Sequence, residues 1–355
     1  MKKIVFLILL GIVGGCATKV LKVDKEQESR LKENREFEQS IQIVAVEEVS
    51  PSQGAVLKAP TEPTPETKLT PEKARQKPVK EKKKALKPAK VKEAVPPTPE
   101  VPTRRQPELE SDVGFDGRRP IKDPFRVGEK VVHSVNYFKM KAGTLTLEVK
   151  PYAQVNGRKS YNWKTSIATS PFFESFHAVD DYSVTMVDYE TLVPYVYTLH
   201  VKETGKLLEA RALFDREKSM ATYWEKKVTD KDGEQEKKHQ WEIPDYSQNV
   251  FSAAYYMRLF EWKVGVEHSF RVAHDQENLI FRAKAIRKER ISTDAGEFDA
   301  IVVKPEMELK GKYKPVGDIY MWLSDDDRKF ILRIESKIKI GTLVSEVIEI
   351  QKGLE

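Results

Sequence analysis

Apolar and polar side chains alternate with a period of two along most of the carboxyl-terminal two thirds of the chain. Leu145, Leu147 and Val149 point one way while Thr144, Thr146, Glu148 and Lys150 point the other, as in a strand with one wet face. Phe330, Leu332, Ile334, Ile338 and Ile340 alternate with Arg333, Glu335, Lys337 and Lys339, and Gly341 then leads into a second run over 342–350, which predicts a hairpin. Runs at 131–138, 160–169, 194–201, 207–214, 219–226, 279–286, 298–308 and 319–323 bring the expected total to roughly a dozen strands. Asn156-Gly157 and Asp232-Gly233 stand between runs as hairpin turns.

One stretch changes period. Phe251, Ala254, Tyr255, Leu259 and Trp262 fall at helical spacing, with Ser247 as the expected cap and Gly265 beyond the end. An amphipathic sheet must hide its apolar face, so the pattern predicts a mainly β domain. It is expected to be a large curved antiparallel sheet or open β-barrel with this one helix packed in or across its mouth, preceded by a long disordered tether. A two-sheet sandwich is the alternative.

The amino-terminal end reads differently. Lys2 and Lys3 precede an apolar run from Ile4 to Val13, well short of the roughly 20 residues a membrane-spanning helix needs. Val13-Gly14-Gly15-Cys16 resembles the bacterial lipobox, which implies a signal peptide at 1–15, cleavage between Gly15 and Cys16, and acylation of the Cys16 sulfur. Cys16 is the sole cysteine, so the domain can hold no internal disulfide and depends on core burial. Ala17 stands where, by resemblance to enterobacterial lipoproteins, an aspartate favours inner-membrane retention, so the expected location is the periplasmic face of the outer membrane.

Residues 16–59 read as a charged linker or weak helix, because Leu31, Phe37 and Ile41 make no regular stripe. Residues 60–120 read as a tether. Positions 60–105 hold ten of the 20 prolines, thirteen Lys or Arg, six Glu and no aromatic residue, a composition that cannot bury enough apolar surface to fold. That window carries +7 against +6 for the whole chain, so the remainder sums to −1 and the domain at 121–355 is close to neutral. No nucleic-acid partner is therefore expected. In polyproline-like form the 46 residues would reach roughly 140 Å. Lys80, Lys82, Lys83, Lys84, Lys87, Lys90 and Lys92 are either an anionic-surface contact, for cell-wall polymer or lipid head groups, or a solvated spacer.

Five motifs carry a family resemblance: Phe125-Arg126-Val127-Gly128-Glu129-Lys130, Ala142-Gly143, the helix from Asn249 to Leu259 with Arg258 near its end, Thr293 to Ala300, and Trp322 to Lys329. With them the chain resembles a bacterial family catalogued as domain of unknown function 3108. Where members tend to place a proline after the basic pair, this chain has Phe330. The resemblance implies fold and compartment and no activity.

Catalytic signatures are few. The six histidines are scattered, the lone cysteine is assigned to lipid, and no Gly-x-Ser-x-Gly or phosphate-binding loop is present, so neither metal nor cofactor is expected. Asp325, Asp326 and Asp327 lack the spaced ligands of a calcium loop. Asp180 with Asp181, or Asp188 with Glu190, could form an acid and base pair for glycan cleavage if folding brought them together. The aromatic residues Phe172, Phe173 and Phe176, and Tyr255, Tyr256, Phe260 and Trp262, are core or else line an apolar pocket in the curved sheet. The leading expectation is a non-enzymatic, membrane-anchored module that binds a lipid-like ligand or an envelope protein. A structural link between membrane and cell wall, or a partner complex, is the second, and a hydrolase acting on glycan or lipid the third.

Overall fold

The computed structural model describes residues 25–45, 109–138, 140–309, 312–314, 318–338 and 341–354. Gly15, Cys16, Ala17 and the seven tether lysines lie outside them. From the amino terminus come α1 (Lys25–Lys32), α2 (Arg35–Ser40) and β1 (Ile43–Ala45), then a small ribbon of β2 (Phe115–Asp116) and β3 (Arg119–Pro120). The main run follows with β4 (Glu129–Tyr137), β5 (Met140–Val155), β6 (Arg158–Thr169), the short α3 (Pro171–Glu174), β7 (Asp180–Asp188), β8 (Pro194–Glu203), β9 (Lys206–Asp215), β10 (Met220–Thr229) and β11 (Gly233–Glu242). After α4 (Val250–Tyr256) and a 3-10 turn (Met257–Leu259) come β12 (Glu267–His274), β13 (Glu277–Thr293), β14 (Gly296–Leu309), β15 (Lys312–Lys314), β16 (Asp318–Ser324), β17 (Ile331–Ile338) and β18 (Gly341–Lys352).

One antiparallel sheet takes in all the described strands except the β2–β3 ribbon, in the order β11-β10-β9-β8-β7-β6-β5-β4-β18-β17-β16-β14-β13-β12, with β1 added beside β5 and β15 beside β14. Two meanders build it: β4 to β11 step outward, β12 to β18 step back, and β18 closes onto β4. Register shifts at Lys150/Ala153, Ala285/Arg287 and Val347/Glu349 add bends to the ordinary strand twist, so the sheet rolls up. Its edges β11 and β12 do not pair. The end of β11 instead meets β13, where Asn278 Nδ2 donates to the Glu242 carbonyl at 2.9 Å, and Gln248, beyond β11, forms a parallel bridge to Val272 on β12. The open curved sheet is the observed form, and the sandwich alternative falls.

Both turn motifs act as expected. Asn156 and Gly157, at φ +50° and +75°, join Val155 to Arg158, and Gly233 at φ +65° closes the β10–β11 turn. In the Ala142-Gly143 motif, a Cβ on Gly143 would lie 2.3 Å from the Ala168 carbonyl oxygen, so only glycine lets β5 approach β6 there. The helix cap differs from the expectation. Asn249 takes that role, its Oδ1 accepting from the Phe251 and Ser252 amides while Ser252 Oγ accepts from the Asn249 amide. Ser247 instead donates its hydroxyl to the Pro244 carbonyl at 2.6 Å.

The strands carry buried residues on both faces in places, and α4 occupies the inner one. Trp163 stacks on Tyr255 with centroids 4.8 Å apart and planes 6° apart, and Phe125 closes over both. On β10, Ala221 and Tyr223 join Tyr197 and Phe251 on that inner side, while Trp224, the residue after Tyr223, faces outward. Outside, Trp224 meets the amino-terminal segment. Phe37 contacts Trp224 edge-on at 5.9 Å, Leu31 packs on Leu207 and Val228, and β1 pairs with β5. Residues 25–45 therefore belong to the folded unit and not to a linker, since burying Leu31, Phe37 and Ile41 contributes about 1.5–3 kcal/mol per side chain. The tether likewise ends before residue 121. Glu110 and Arg118 are buried as an ion pair at 3.3 Å, and Glu110 also accepts from the Tyr256 hydroxyl at 2.7 Å.

Candidate functional site

Between α4 and the inner face of the sheet lies an apolar cleft with a cavity volume of about 170 Å³. Leu145 and Leu147 of β5 form one wall, with Thr165 of β6 beside them. Phe281, Pro305, Met307, Ile319, Met321, Ile331 and Ile334 form the opposite wall. The roof is helical, from Val250, Phe251, Ala253, Ala254 and Met257, and Val272 completes the lining. The gap has a local cause. Ala253 and Ala254 stop at Cβ, so this side of α4 stands off the sheet, while Tyr255 and Tyr256 on its other side are locked into the core.

Thr165 is the sole polar residue among the sixteen that line the cleft. No ionisable group faces it, so it offers no acid, base or metal ligand to a bound molecule. Three of the chain's seven methionines line it, and their flexible, polarisable thioethers suit an apolar guest of variable shape.

None of the seven aromatic residues read from the sequence lines this cleft. Tyr255, Tyr256, Phe260 and Trp262 are buried core with satisfied polar atoms. The Tyr255 hydroxyl donates to the Lys164 carbonyl at 2.7 Å and accepts from the Glu148 amide at 3.1 Å, tying β5 to β6, and burial raises its pKa. Trp262 Nε1 donates to the Met257 carbonyl. Phe172 and Phe176 stand 66% and 68% exposed around α3, and Phe173 is half-buried. Sequence reading missed the cleft's true walls. The legible signal was the Ala253-Ala254 pair opposite the tyrosines, together with methionines at apolar strand positions.

The carboxylate pairs do not converge on a cleft. Asp188 is fully buried and braces the β7–β8 turn, accepting from Arg158, Tyr195, Thr191 and the Glu190 amide. Burial pushes its pKa up, but these bonds outweigh that and hold it down to about 2, while Glu190 is exposed. Asp181 is buried, accepting from the Lys202 amide at 2.8 Å, and Asp180 beside it is exposed. Asp326 caps its own loop, accepting from Ser324 Oγ and the Arg328 and Lys329 amides, while Asp325 pairs with Lys288 and Asp327 with Lys122. Among the described residues no group of three His, Cys, Asp or Glu side chains is placed to hold a metal ion.

Three of the sequence motifs meet at the far end of the helix. Arg258 forks onto Glu129 at 2.6 and 3.1 Å, both side chains 2% exposed, and Arg328 adds a third contact to the same carboxylate at 2.6 Å. Arg258 also donates twice to the Arg328 carbonyl, and Arg328 to the Pro124 and Lys352 carbonyls. Phe330 donates its amide to Ser324 Oγ at 2.8 Å, a bond that a proline at this position could not make.

Fold and site together define an antiparallel β domain built on one large open sheet, with a helix-roofed apolar cleft. The chain belongs to the family described as "Protein of unknown function (DUF3108)", whose model matches residues 132–348. Among solved structures it is similar to a β-barrel-like protein of domain of unknown function DUF1849 from Brucella abortus, at 9% identity and TM-score 0.39 over 64% of this chain and 98% of that one. A candidate exported protein with a YmcC-like fold from Bacteroides fragilis gives 9% identity and TM-score 0.29 over 64% and 97%. A candidate lipoprotein from Parabacteroides distasonis gives 12% and 0.24 over 63% and 95%. No curated protein sequence matches the chain.

Proposed function

We propose that this protein is a lipid-anchored, non-catalytic module of the bacterial envelope whose cleft takes the apolar end of a lipid-like molecule. The observation that carries the reading is the cleft itself: apolar on every side but Thr165, methionine-rich, and free of ionisable lining. An apolar cavity of about 150 Å³ stays dry and admits benzene, so a site of this size suits the end of an acyl chain or an aromatic group and not a whole lipid. Binding would come from area removed from water, about 25 cal/mol per Å², without directional recognition.

Residues 17–355, purified without detergent, are expected to carry lipid visible by native mass spectrometry and to enhance the fluorescence of N-phenylnaphthylamine. Ala254→Phe, which fills the cleft from a half-buried position, should weaken probe binding about tenfold or more while leaving the far-ultraviolet circular dichroism unchanged. A protein free of lipid whose Ala254→Phe variant binds the probe as tightly as the parent would rule the reading out.

The anchor rests on the lipobox at Val13 to Cys16. Two or three acyl chains, each methylene contributing about 0.8 kcal/mol, would hold the molecule at a membrane. Cells expressing the full chain are expected to incorporate labelled palmitate into it, and Cys16→Ala to abolish the label; a variant that keeps the label is not anchored through Cys16.

A further inference from the structure

Residues 25–45 are fastened to the domain along their length. Leu31, Phe37 and Ile41 are buried against the outer face of the sheet. Arg211 Nη2 donates to the Lys32 carbonyl at 3.2 Å and Lys226 Nζ to the Arg30 carbonyl at 3.4 Å, so two cations of the sheet satisfy carbonyls at the end of α1. Trp224 Nε1 donates to Glu36 at 3.0 Å, and Lys238 pairs with the same carboxylate. β1 then fills a stretch of β5 that β4 leaves open. β4 pairs as far as Glu148, whereas Ile43, Val44 and Ala45 pair with Val155, Gln154 and Ala153. Beside them the Gln42 amide donates to Asn156 Oδ1 and the Asn156 amide to the Gln42 carbonyl, both at 2.9 Å.

The segment has a direction. Leu31 sits on Leu207 and Val228, beside the β8–β9 and β10–β11 turns, and Glu28 reaches Lys202 at 3.9 Å. β1 lies at the other end of the strands, beside the Asn156-Gly157 turn. The chain therefore enters at the end of the sheet that also holds Gly143, Thr169 and Asp180, and the cleft residue Leu145 lies two positions from Gly143.

Covalent geometry then limits the reach of an anchor at Cys16. Nine residues lead from Cys16 to Lys25, and fully extended they span at most about 30 Å. The Pro- and Lys-rich stretch adds nothing to that distance. It lies between Ala45 and Leu109, and residues 25–45 belong to the same compact unit as the residues from 109 onward. We propose that residues 25–45 are a clasp that holds the domain on the leaflet carrying the anchor, so that the stretch expected to be a tether is instead a loop that leaves and rejoins one folded body. The membrane location in this proposal rests on acylation of Cys16; the clasp does not. A cleft held there can exchange an apolar guest with the anchoring bilayer and cannot carry it away from that membrane.

The mature chain, residues 16–355, has a single thiol, so Cys16 can be coupled to a maleimide phospholipid in vesicles whether or not cells acylate it. A donor dye clicked onto an azide-bearing residue in place of the exposed Lys231, in the β10–β11 turn, reports its distance from acceptor lipids by energy transfer. Replacing residues 48–101 by a short Gly/Ser linker is expected to leave the transfer unchanged, because that stretch does not separate anchor from dye. A domain hung on a tether would instead move closer, and transfer would rise. Leu31→Asp/Phe37→Asp undoes the clasp and puts all 92 residues from 17 to 108 between anchor and domain. A flexible chain of that length averages about 50 Å end to end, so transfer should fall about twofold with the far-ultraviolet circular dichroism of the sheet retained. Shortening 48–101 in this variant should restore it. Transfer that rises when the parent is shortened, or that the double substitution leaves as it was, would each overturn the proposal. Palmitate labelling in cells reads the anchor separately: an unlabelled chain that still behaves as clasped on vesicles would refute acylation and leave the clasp standing.

Discussion

Glu129→Ala is expected to lower the unfolding free energy by about 3–5 kcal/mol, because it leaves the buried Arg258 guanidinium without its carboxylate. The loss is larger than for an exposed pair because neither group can recover hydration where it sits. Arg328 makes the loss worse, since its guanidinium shares the same carboxylate and would then face Arg258 with like charge. The converse change should be milder. Arg258→Met removes one cation but leaves Glu129 paired with Arg328, and Glu129→Leu combined with Arg258→Met replaces the pair by apolar volume, which is often neutral. In thermal unfolding, Glu129→Ala should lower Tm by roughly 6–20 °C, taking 2–4 °C per kcal/mol for a domain of this size. A Glu129→Ala protein within about 1 kcal/mol of the parent would show that the cluster is not a brace. The consequence for function is positional. Arg258 closes the end of the helix that roofs the cleft, so this cluster fixes the roof against β4 and the β16–β17 loop.

That cluster also marks where sequence reading stops. Glu129, Arg258 and Arg328 each fell in a recognisable motif, yet Glu129 and Arg258 are 129 residues apart and no periodicity links them. Strands were legible because a period of two survives any tertiary context, and the helix because its apolar stripe is long enough to show. The amino-terminal segment was not, for a local reason: Leu31 sits on α1 while Phe37 sits on α2, and a break at Glu33 and Asn34 separates them, so no single helical stripe joins them. Their partners, Val228 and Trp224, are nearly 200 positions away. The same limit misplaced the cleft. An aromatic side chain and an alanine on one short helix point to different surroundings, and it was the small residues that left the space.

Between pH 4 and 6.5 buried groups titrate in opposite senses, Asp181 against His133 and also against His274, whose imidazole burial likewise holds below its ordinary pKa. His133 on β4 is fully buried, and burial holds its pKa down to about 4 against backbone hydrogen bonds at Ser345 and Ile331 that favour the charged form. Unfolded, it titrates near 6.5, so its contribution is complete above 6.5 and is lost as pH falls towards 4, by about 3 kcal/mol. Asp181 behaves oppositely. Burial, and then the neighbouring Glu203, raise its carboxyl to about 7 despite the Lys202 amide bond, against 3.8 unfolded. Its contribution is therefore complete below 3.8 and is lost as pH rises towards 7, by about 4 kcal/mol over the whole span. Across the shared window each group changes by up to one proton and the slopes oppose. Asp181→Asn keeps an oxygen for the Lys202 amide but does not titrate, so urea unfolding of this variant should show stability falling by about 3 kcal/mol from pH 6.5 to 4 relative to the parent. His133→Gln should show the reverse, gaining stability relative to the parent on acidification because one of the two histidines that oppose Asp181 no longer titrates. Variants whose pH profiles run parallel to the parent's would mean that these two groups ionise in the folded protein as they do in water.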